Sequence, residues 1–320
     1  MKYVFIINPS AGTENSVGMI REAVNRSEKK DQCEIYVTRG VNDATEYVRA
    51  YCKNSPEEKV RFIACGGDGT LNEVVNGAVG QENAEVSCYP CGSGNDFVKC
   101  FEDPERFKDI DKLLSAKARK IDLLKVGDRY SDNVVNFGFD TTVAISVNEG
   151  RAKGGNAAKN AYTMGIIKAL ITSMKNEFEV YADGELINPD GKALLCTVAN
   201  GQYVGGSFKC APRAELDDGY MEVCLVKPIS RIRFVKLLDT YTKGNHLDDP
   251  KLQDIMIYRK ARKVRVKAKK GFAYSLDGEI IYDPDFTIEI AEKVLTAEGV
   301  VNFFFGSAHF LKLNYLLEEK

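Results

Sequence analysis

The sequence predicts an α/β N-terminal domain, with a parallel sheet and helices, followed by a β-rich, sandwich-like second domain. The active site is expected in the interdomain cleft. Three observations carry this prediction. Apolar strand-like runs alternate with helical periodicity as far as Lys120. Glycine-containing turns follow three of those strands. Beyond Lys120-Ile121-Asp122-Leu123-Leu124 the pattern changes to short strands, with few helical stretches between them.

Residues 3–7 are an apolar run of strand length, and 16–27 carry Val17, Ile20, Ala23 and Val24 at helical spacing. A strand over 33–37 is followed by a helix over 43–52, with Ala44, Tyr47, Val48 and Tyr51 on one side. Then come a strand at 61–65, a helix at 71–79 and a strand at 86–89. Such βαβα order argues for a parallel sheet, and ligands of open α/β sheets gather at the carboxyl ends of the strands. The turns after Ile7, Cys65 and Tyr89 all fall on that edge. In the second part, strands are expected at 130–137, 178–182, 193–199, 221–226, 263–268 and 286–290. A long helix at 157–175 has Ala161, Met164, Ile167, Ala169, Leu170 and Met174 as its apolar positions, and a second, 229–241, follows Pro228. The domains are expected at 1–125 and 126–290.

Composition narrows the function classes. A chain of 320 residues, 44% hydrophobic and 28% charged, can bury two cores. The net charge of −2 argues against a nucleic-acid binder. No apolar run approaches the roughly 20 residues of a membrane span, and the apolar start is too short for a signal peptide. Nine cysteines without a leader suggest reduced thiols and a cytoplasmic protein. Cys88 and Cys91 have CxxC spacing, but there is no second pair. The only histidines are His246 and His309, which argues against zinc.

The most telling stretch runs Phe62-Ile63-Ala64-Cys65-Gly66-Gly67-Asp68-Gly69-Thr70-Leu71-Asn72-Glu73, a strand, a glycine turn and a helix start. Three glycines let backbone N–H groups approach phosphates. A carboxylate among phosphates needs a cation between them, usually magnesium, or a hydroxyl to accept from, so Asp68 points to a metal-dependent nucleotide site. A tight βα connection alone would need fewer glycines. Asn8-Pro9-Ser10-Ala11-Gly12 and Gly92-Ser93-Gly94-Asn95-Asp96 are weak signals singly. Together the three turns supply the small residues, hydroxyls and amides that an adenine nucleotide would use.

These turns in this order, with a late Asp277-Gly278-Glu279, resemble the diacylglycerol kinase catalytic-domain family of lipid kinases. That family includes the bacterial soluble diacylglycerol kinases and the sphingosine kinases. The resemblance runs from Asn8 to Glu279 and implies ATP binding at Asn8, Pro9, Ser10, Ala11, Gly12, Thr38, Gly66, Gly67, Asp68, Gly69, Thr70, Leu71, Asn72 and Ser93. It also implies that Asp68, Asn95, Asp96 and Asp122 are the polar residues around phosphate and metal. Glu215-Leu216-Asp217-Asp218-Gly219-Tyr220 resembles the family's structural metal loop, in which the Asp218 carboxylate and the carbonyls of Glu215 and Tyr220 would bind Mg2+. The same residues also read as a simple hairpin turn. Asp277-Gly278-Glu279 resembles the motif whose acids carry the catalytic base, and outside the family order it too reads as a hairpin turn. Residues 300–305 resemble the last strand, so that 291–320 would pack back on the first domain. One departure stands out. Many bacterial members have a basic residue just after the first glycine turn, whereas this chain has Thr13-Glu14; Lys153, Lys159 and Lys168 are candidate substitutes.

The resemblance implies an ATP- and Mg2+-dependent lipid kinase that phosphorylates diacylglycerol or a related lipid alcohol. Asp68 would act with the metal, and Glu279 or Asp277 would be the base. The helix around 161–174 and the β-rich domain are candidates for holding acyl chains. The basic run from Arg259 to Lys270 reads as a solvated strand face, with transient contact to an anionic membrane as the sharper reading. The tail at 308–317 reads as a docked helix or a membrane- or partner-facing segment. Expected partners are therefore a lipid substrate and the inner membrane surface, with no nucleic acid; a homodimer is compatible with the sequence. An NAD kinase, or an inactive member that binds nucleotide or lipid, is the alternative.

Overall fold

The computed structural model describes residues 1–12, 15–153 and 155–298. The departure at Thr13-Glu14, and the segments 300–305 and 308–317, lie outside the described residues. The first domain opens with β1 (Lys2–Ile7), α1 (Ser16–Arg26), β2 (Cys33–Val37) and α2 (Asp43–Asn54). It continues with β3 (Val60–Gly66), α3 (Asp68–Ala78) and β4 (Ala84–Pro90). The strands pair in parallel in the order β2-β1-β3-β4. Every residue of β3 is buried, because the strand is central and helices cover a parallel sheet on both faces. The register sets Ile7 beside Cys65 and Gly66 beside Pro90. The carboxyl ends of β1, β3 and β4, each followed by a glycine turn, therefore lie at one edge.

A short α4 (Ile110–Ser115) leads into β5 (Ala118–Val126), β6 (Arg129–Ser131) and β7 (Val134–Gly138). The run expected as one strand over 130–137 is thus two, broken at Asp132-Asn133, and those two residues turn into the site described below. Two helices follow, α5 (Phe139–Lys153) and α6 (Gly155–Thr172). The sequence signalled only the second, because α5 mixes Asp140, Thr141, Thr142 and Ser146 among its apolar residues. Next come β8 (Asn176–Ala182), β9 (Glu185–Leu186), β10 (Lys192–Ala193), β11 (Leu195–Ala199) and β12 (Met221–Val226). Ser230 caps α7 (Arg231–Thr242) by accepting from the Arg233 N–H at 3.2 Å. The chain then runs through β13 (Met256–Ala261), β14 (Lys263–Ala268), β15 (Ala273–Leu276), β16 (Glu279–Tyr282) and the long β17 (Asp285–Glu298).

Two sheets make the second domain. One is antiparallel, in the order β13-β12-β11-β7-β15-β16. The other is an extension of the first domain's sheet, in the order β10-β8-β14-β17-β4-β3-β1-β2, with β5 and β6 attached through β17. The link is Ala297 of β17 beside Val86 of β4. Across the sandwich, Val126, Phe178, Val180, Val264, Val266 and Ile288 pack on Val135, Phe137, Val198, Val223 and Leu276. Helices α5, α6 and α7 cover the outer face of the antiparallel sheet, where Phe139, Val143, Ala169 and Phe234 meet Leu195 and Val226.

The basic run divides between both sheets, since β13 belongs to one and β14 to the other, with Arg262 at the crossing. Six of its eight cations are matched by acids. Arg259 pairs with Glu185 at 2.9 Å, Lys260 with Asp218 at 2.6 Å, and Lys263 with Glu289 and Arg265 with Asp285 at 2.8 Å each. Arg262 pairs with Glu292, and Lys269 with Glu177. The strand face is a ladder of mixed charge.

Asp122 has no exposed surface. Its carboxylate accepts from the Gly219 and Lys293 N–H groups at 2.7 Å each, and thereby fixes the 215–220 loop and the irregularity in β17. Its expected place around phosphate and metal becomes this scaffolding role. Asp122→Ala leaves two inward N–H groups unpaired and should lower the unfolding free energy by roughly 3 kcal/mol. A urea titration followed by circular dichroism measures it; an unchanged midpoint would contradict the scaffolding role.

Candidate active site

Asp68 is the first residue of α3, and its carboxylate closes two turns upon each other. The Asn95 N–H donates to Oδ2 at 2.9 Å and the Asp96 N–H to Oδ1 at 2.6 Å. The turns touch so closely that a Cβ on Gly92 would lie 2.4 Å from the Gly67 Cα, and one on Gly94 2.4 Å from Asp68 Oδ2. Here glycine is required by close approach. The first turn joins the same edge: Asn8 Nδ2 donates to Thr70 Oγ1 at 3.1 Å, and the Ser10 N–H to Asn8 Oδ1 at 2.9 Å. The Thr38 N–H, at the end of β2, donates to the Ile7 carbonyl at 2.9 Å.

The second domain enters through a hairpin. Asp277 and Gly278 have φ of +46° and +93° between the paired residues Leu276 and Glu279, which makes a two-residue turn with both central residues left-handed. The hairpin reading and the family reading of this motif are therefore compatible. The Asp277 carboxylate is saturated. Ser131 Oγ and the Val134 N–H donate to Oδ1 at 2.7 and 2.8 Å. Asn72 Nδ2 and the Asp132 N–H donate to Oδ2 at 2.8 and 3.1 Å. Asn72 belongs to α3, so this contact ties the nucleotide-type turn to the hairpin. Asn72 Nδ2 also reaches the Tyr130 carbonyl at 2.9 Å.

Asp132, which nothing in the sequence singled out, lies 3% exposed beside Asp277, with no hydrogen-bond partner on its Oδ1 among the described residues. Burial, and then the charges of Asp277 and Asp68, hold its carboxyl well above the usual range. Burial, opposed by hydrogen bonds and aided by Asp68, pushes Asp277 up to about 6. Burial and then Asp96 also raise Asp68. Crowded carboxyls with raised affinity for positive charge suit a nucleotide that arrives with its own cation. Among the described residues no group of three or more acidic, histidine or cysteine side chains is arranged to cage a metal unaided. Donors here would be shared with phosphates.

The cations near the site also differ from expectation. Lys168 pairs with Glu149 at 3.9 Å, Lys153 is exposed, and the Lys159 side chain lies outside the described ones. Instead Lys99, just past the third turn, donates to the Gly94 carbonyl at 2.6 Å, Asp96 Oδ1 at 3.0 Å and the Gly206 carbonyl at 2.7 Å. With the Gly206 N–H donating to Asp96 Oδ1 at 2.9 Å, it clamps the second domain to the third turn. Arg129 Nη1 donates to Glu279 Oε2 at 2.6 Å.

The expected residues therefore sort by what their groups can reach. Asn8, Pro9, Ser10, Ala11, Gly12, Gly66, Gly67, Gly69, Thr70 and Ser93 belong to the three turns at the carboxyl edge of the sheet. Leu71 is core: its side chain is buried and its N–H donates to the Gly67 carbonyl, so it offers a nucleotide neither group. Asn95 closes its own turn through Gly92, with its side chain both accepting from and donating to that residue at 2.9 and 2.7 Å. Asn72 bridges the domains. In the 215–220 loop, Asp218 accepts from Lys260 at 2.6 Å and from the Tyr220 N–H at 3.0 Å. Lys260 also lies 3.6 Å from buried Glu222. The hard-oxygen donors and surplus acid suit a cation there, and the Lys260 ammonium now fills that role.

Two family models match the chain. The diacylglycerol kinase catalytic domain matches residues 2–126, and the YegS C-terminal NAD kinase beta sandwich-like domain matches residues 133–297. The diacylglycerol kinase of Bacillus subtilis (strain 168) is 28% identical over 278 residues, covering 86% of this chain and 88% of that protein. That of Staphylococcus carnosus (strain TM300) is 29% identical over 279 residues, covering 86% and 87%. A solved diacylglycerol kinase from Bacillus anthracis str. Sterne shares the fold, with a TM-score of 0.67 and 20% identity over 93% of this chain and 96% of its own.

Asp132 and Asp277 bind protons more tightly folded than unfolded. The contribution of Asp277 to stability is therefore present below about pH 4 and lost as pH rises through about 6, and that of Asp132 is likewise lost as pH rises. Asp132→Asn removes one of the two charges. It should be more stable than the parent at pH 7.5 by about 1 kcal/mol or more, and should flatten the stability profile between pH 4 and 7. Urea midpoints across that range check it; a variant less stable at pH 7.5 would contradict the charge crowding.

Proposed function

The chain belongs to the diacylglycerol kinase family, and we propose that it transfers the γ-phosphoryl group of ATP to the hydroxyl of diacylglycerol or a related lipid alcohol. The products would be ADP and phosphatidic acid or the corresponding lipid phosphate. One observation carries the reading: the Asp277 hairpin is bonded to Asn72 of the same helix whose first residue is Asp68. The phosphate-type turn and the acidic hairpin are thereby held to one another across the cleft, as transfer between two bound substrates requires.

The turns at Asn8–Gly12, Gly66–Thr70 and Gly92–Asp96 would hold the nucleotide, with backbone N–H groups and the α3 N-terminus toward its phosphates. Mg2+ bound with the nucleotide would supply charge neutralisation across those phosphates, and Asp68, whose oxygens accept one hydrogen bond each, is the carboxylate best suited to hold it, with Asp96 beside it tied to Lys99. We assign the base to Glu279. Both oxygens of Asp277 already accept two hydrogen bonds each. Glu279 is part-exposed and, among the described residues, has only Arg129 on its Oε2. The acceptor hydroxyl would lose its proton to Glu279 as its oxygen bonds to phosphorus and the bond from phosphorus to the ADP oxygen breaks. Asp277 orients, and Asp132 shares its environment. The 215–220 loop remains the candidate second cation site, in competition with Lys260.

Two variants test the assignment with γ-labelled ATP in mixed micelles containing diacylglycerol, ceramide or a sphingoid base, with NAD as a separate acceptor. Asp68→Ala and Glu279→Gln should each lower label transfer to diacylglycerol by roughly 10²–10⁴-fold while the fold is retained. Near-normal transfer in both would sink the assignment, and label in NADP instead of lipid would move the chain to the other branch of its fold.

A further inference from the structure

Three consecutive residues of β6 fasten the acidic hairpin to α3. Arg129 and Ser131 stand two apart, so their side chains share one face of the strand. Asp277 and Glu279 are spaced alike, and each meets one of them. Ser131 Oγ donates to Asp277 Oδ1 at 2.7 Å, and Arg129 Nη1 to Glu279 Oε2 at 2.6 Å. Between the two, the backbone of Tyr130 is bound to the first domain. Its N–H donates to Asn76 Oδ1 at 2.9 Å, and its carbonyl accepts from Asn76 Nδ2 at 2.8 Å and from Asn72 Nδ2 at 2.9 Å. Asn76 follows Asn72 by one turn of α3, and its Nδ2 also reaches the Asn72 carbonyl at 2.9 Å. The helix that begins at Asp68 therefore places β6, and β6 places the Arg129 guanidinium.

Stability does not account for the Arg129–Glu279 pair. The two side chains are 52% and 38% exposed, and an ion pair so open to water adds little to folding. Its effect is on direction. A glutamate side chain is long and free to turn, whereas a base must stay within hydrogen-bond reach of the proton it takes. Arg129 engages Oε2, and among the described residues nothing donates to Oε1. The carboxylate is pinned by one oxygen with the other left open. The hairpin backbone is held as well, since Asn148 Nδ2 on α5 donates to the Gly278 carbonyl at 3.1 Å. Without Arg129, the part left free to move is the Glu279 side chain.

We propose that Arg129 is a positioning residue for the base. The proposal rests on the assignment of Glu279 argued above, and it adds what aims that carboxylate. Arg129 holds Oε2, so that Oε1 takes the proton of the acceptor hydroxyl. Arginine suits the task, because its planar fork stays charged and donates in a fixed geometry. The same route links the sites of the two substrates. The phosphate-type turn opens α3, Asn72 and Asn76 carry the position of that helix to β6, and Arg129 carries it on to Glu279. The base is thereby registered against the nucleotide end of the cleft, as transfer between two bound molecules requires.

The test compares R129A, R129K, E279Q and R129A/E279Q with the parent, using γ-labelled ATP and diacylglycerol in mixed micelles. R129A should keep the parent's melting temperature, lower kcat at least ~10-fold and leave the KM for ATP within about twofold. R129K, whose ammonium still reaches the carboxylate, should regain part of the loss. Guanidinium chloride should raise the turnover of R129A where potassium chloride of equal strength does not. In the E279Q background, removal of Arg129 should cost less than about twofold. Parental turnover in R129A, losses that multiply in the double variant, or a loss lying wholly in the KM for ATP would each overturn the proposal. If R129A is unimpaired while E279Q is impaired, the base assignment stands and the positioning role falls; an unimpaired E279Q removes both. Crystals of R129A supply a readout without turnover. Glu279 should take more than one rotamer in them, and a carboxylate held as in the parent would contradict the positioning role.

Discussion

The interaction on which the arrangement depends is the saturation of one half-buried carboxylate. Asp277 gathers Asn72 from the first domain and Ser131, Asp132 and Val134 from the strand break in the second. A carboxylate removed from water is costly unless its lone pairs are filled. Four donors from two domains fill them here, so the cleft has a defined width at this point. The left-handed backbone of Asp277 is tolerated because the two-residue turn of β15–β16 demands it. Local turn chemistry and interdomain geometry are met by the same residue.

Around that node the site is built largely from backbone. Gly67 meets Gly92 at a distance no side chain could share, and Asp68 holds the approach by binding the Asn95 and Asp96 amides. Lys99 and Gly206 repeat the device at the other side of the third turn. Glycine supplies proximity, and acids supply the ties. The consequence is a concentration of negative charge that the protein's own cations offset only in part, which is the electrostatic condition for receiving a nucleotide together with a divalent cation.

Much of this was legible in the chain. Parallel strands with continuous apolar runs, and glycine turns following them, fix the first domain and the edge where the site lies. What escaped was long-range. Asp132 sits in what reads as the middle of one strand, and only the break between β6 and β7 turns it toward Asp277. Leu71 and Asn72 fall inside the most telling motif, yet helical geometry sends one to the core and the other to the partner domain. Helix α5 lacked the apolar period that would have announced it, because polar residues interrupt its run. The basic run reads as a solvated strand face or an anionic-membrane contact, and only the register of neighbouring strands sets acids beside it. Sequence spacing reports periodicity along the chain; it does not report which strand comes alongside.

The central claim is that Asn72 and Asp277 act as one unit to align the phosphate turn with the acidic hairpin. A double-mutant cycle on lipid phosphorylation addresses it most directly, using N72A, D277A and the pair, with turnover measured at saturating ATP and diacylglycerol. The account predicts that each single change lowers turnover at least ~10-fold, and that N72A costs less than about twofold once Asp277 is gone. Losses that simply multiply would contradict it, since the two residues would then act independently.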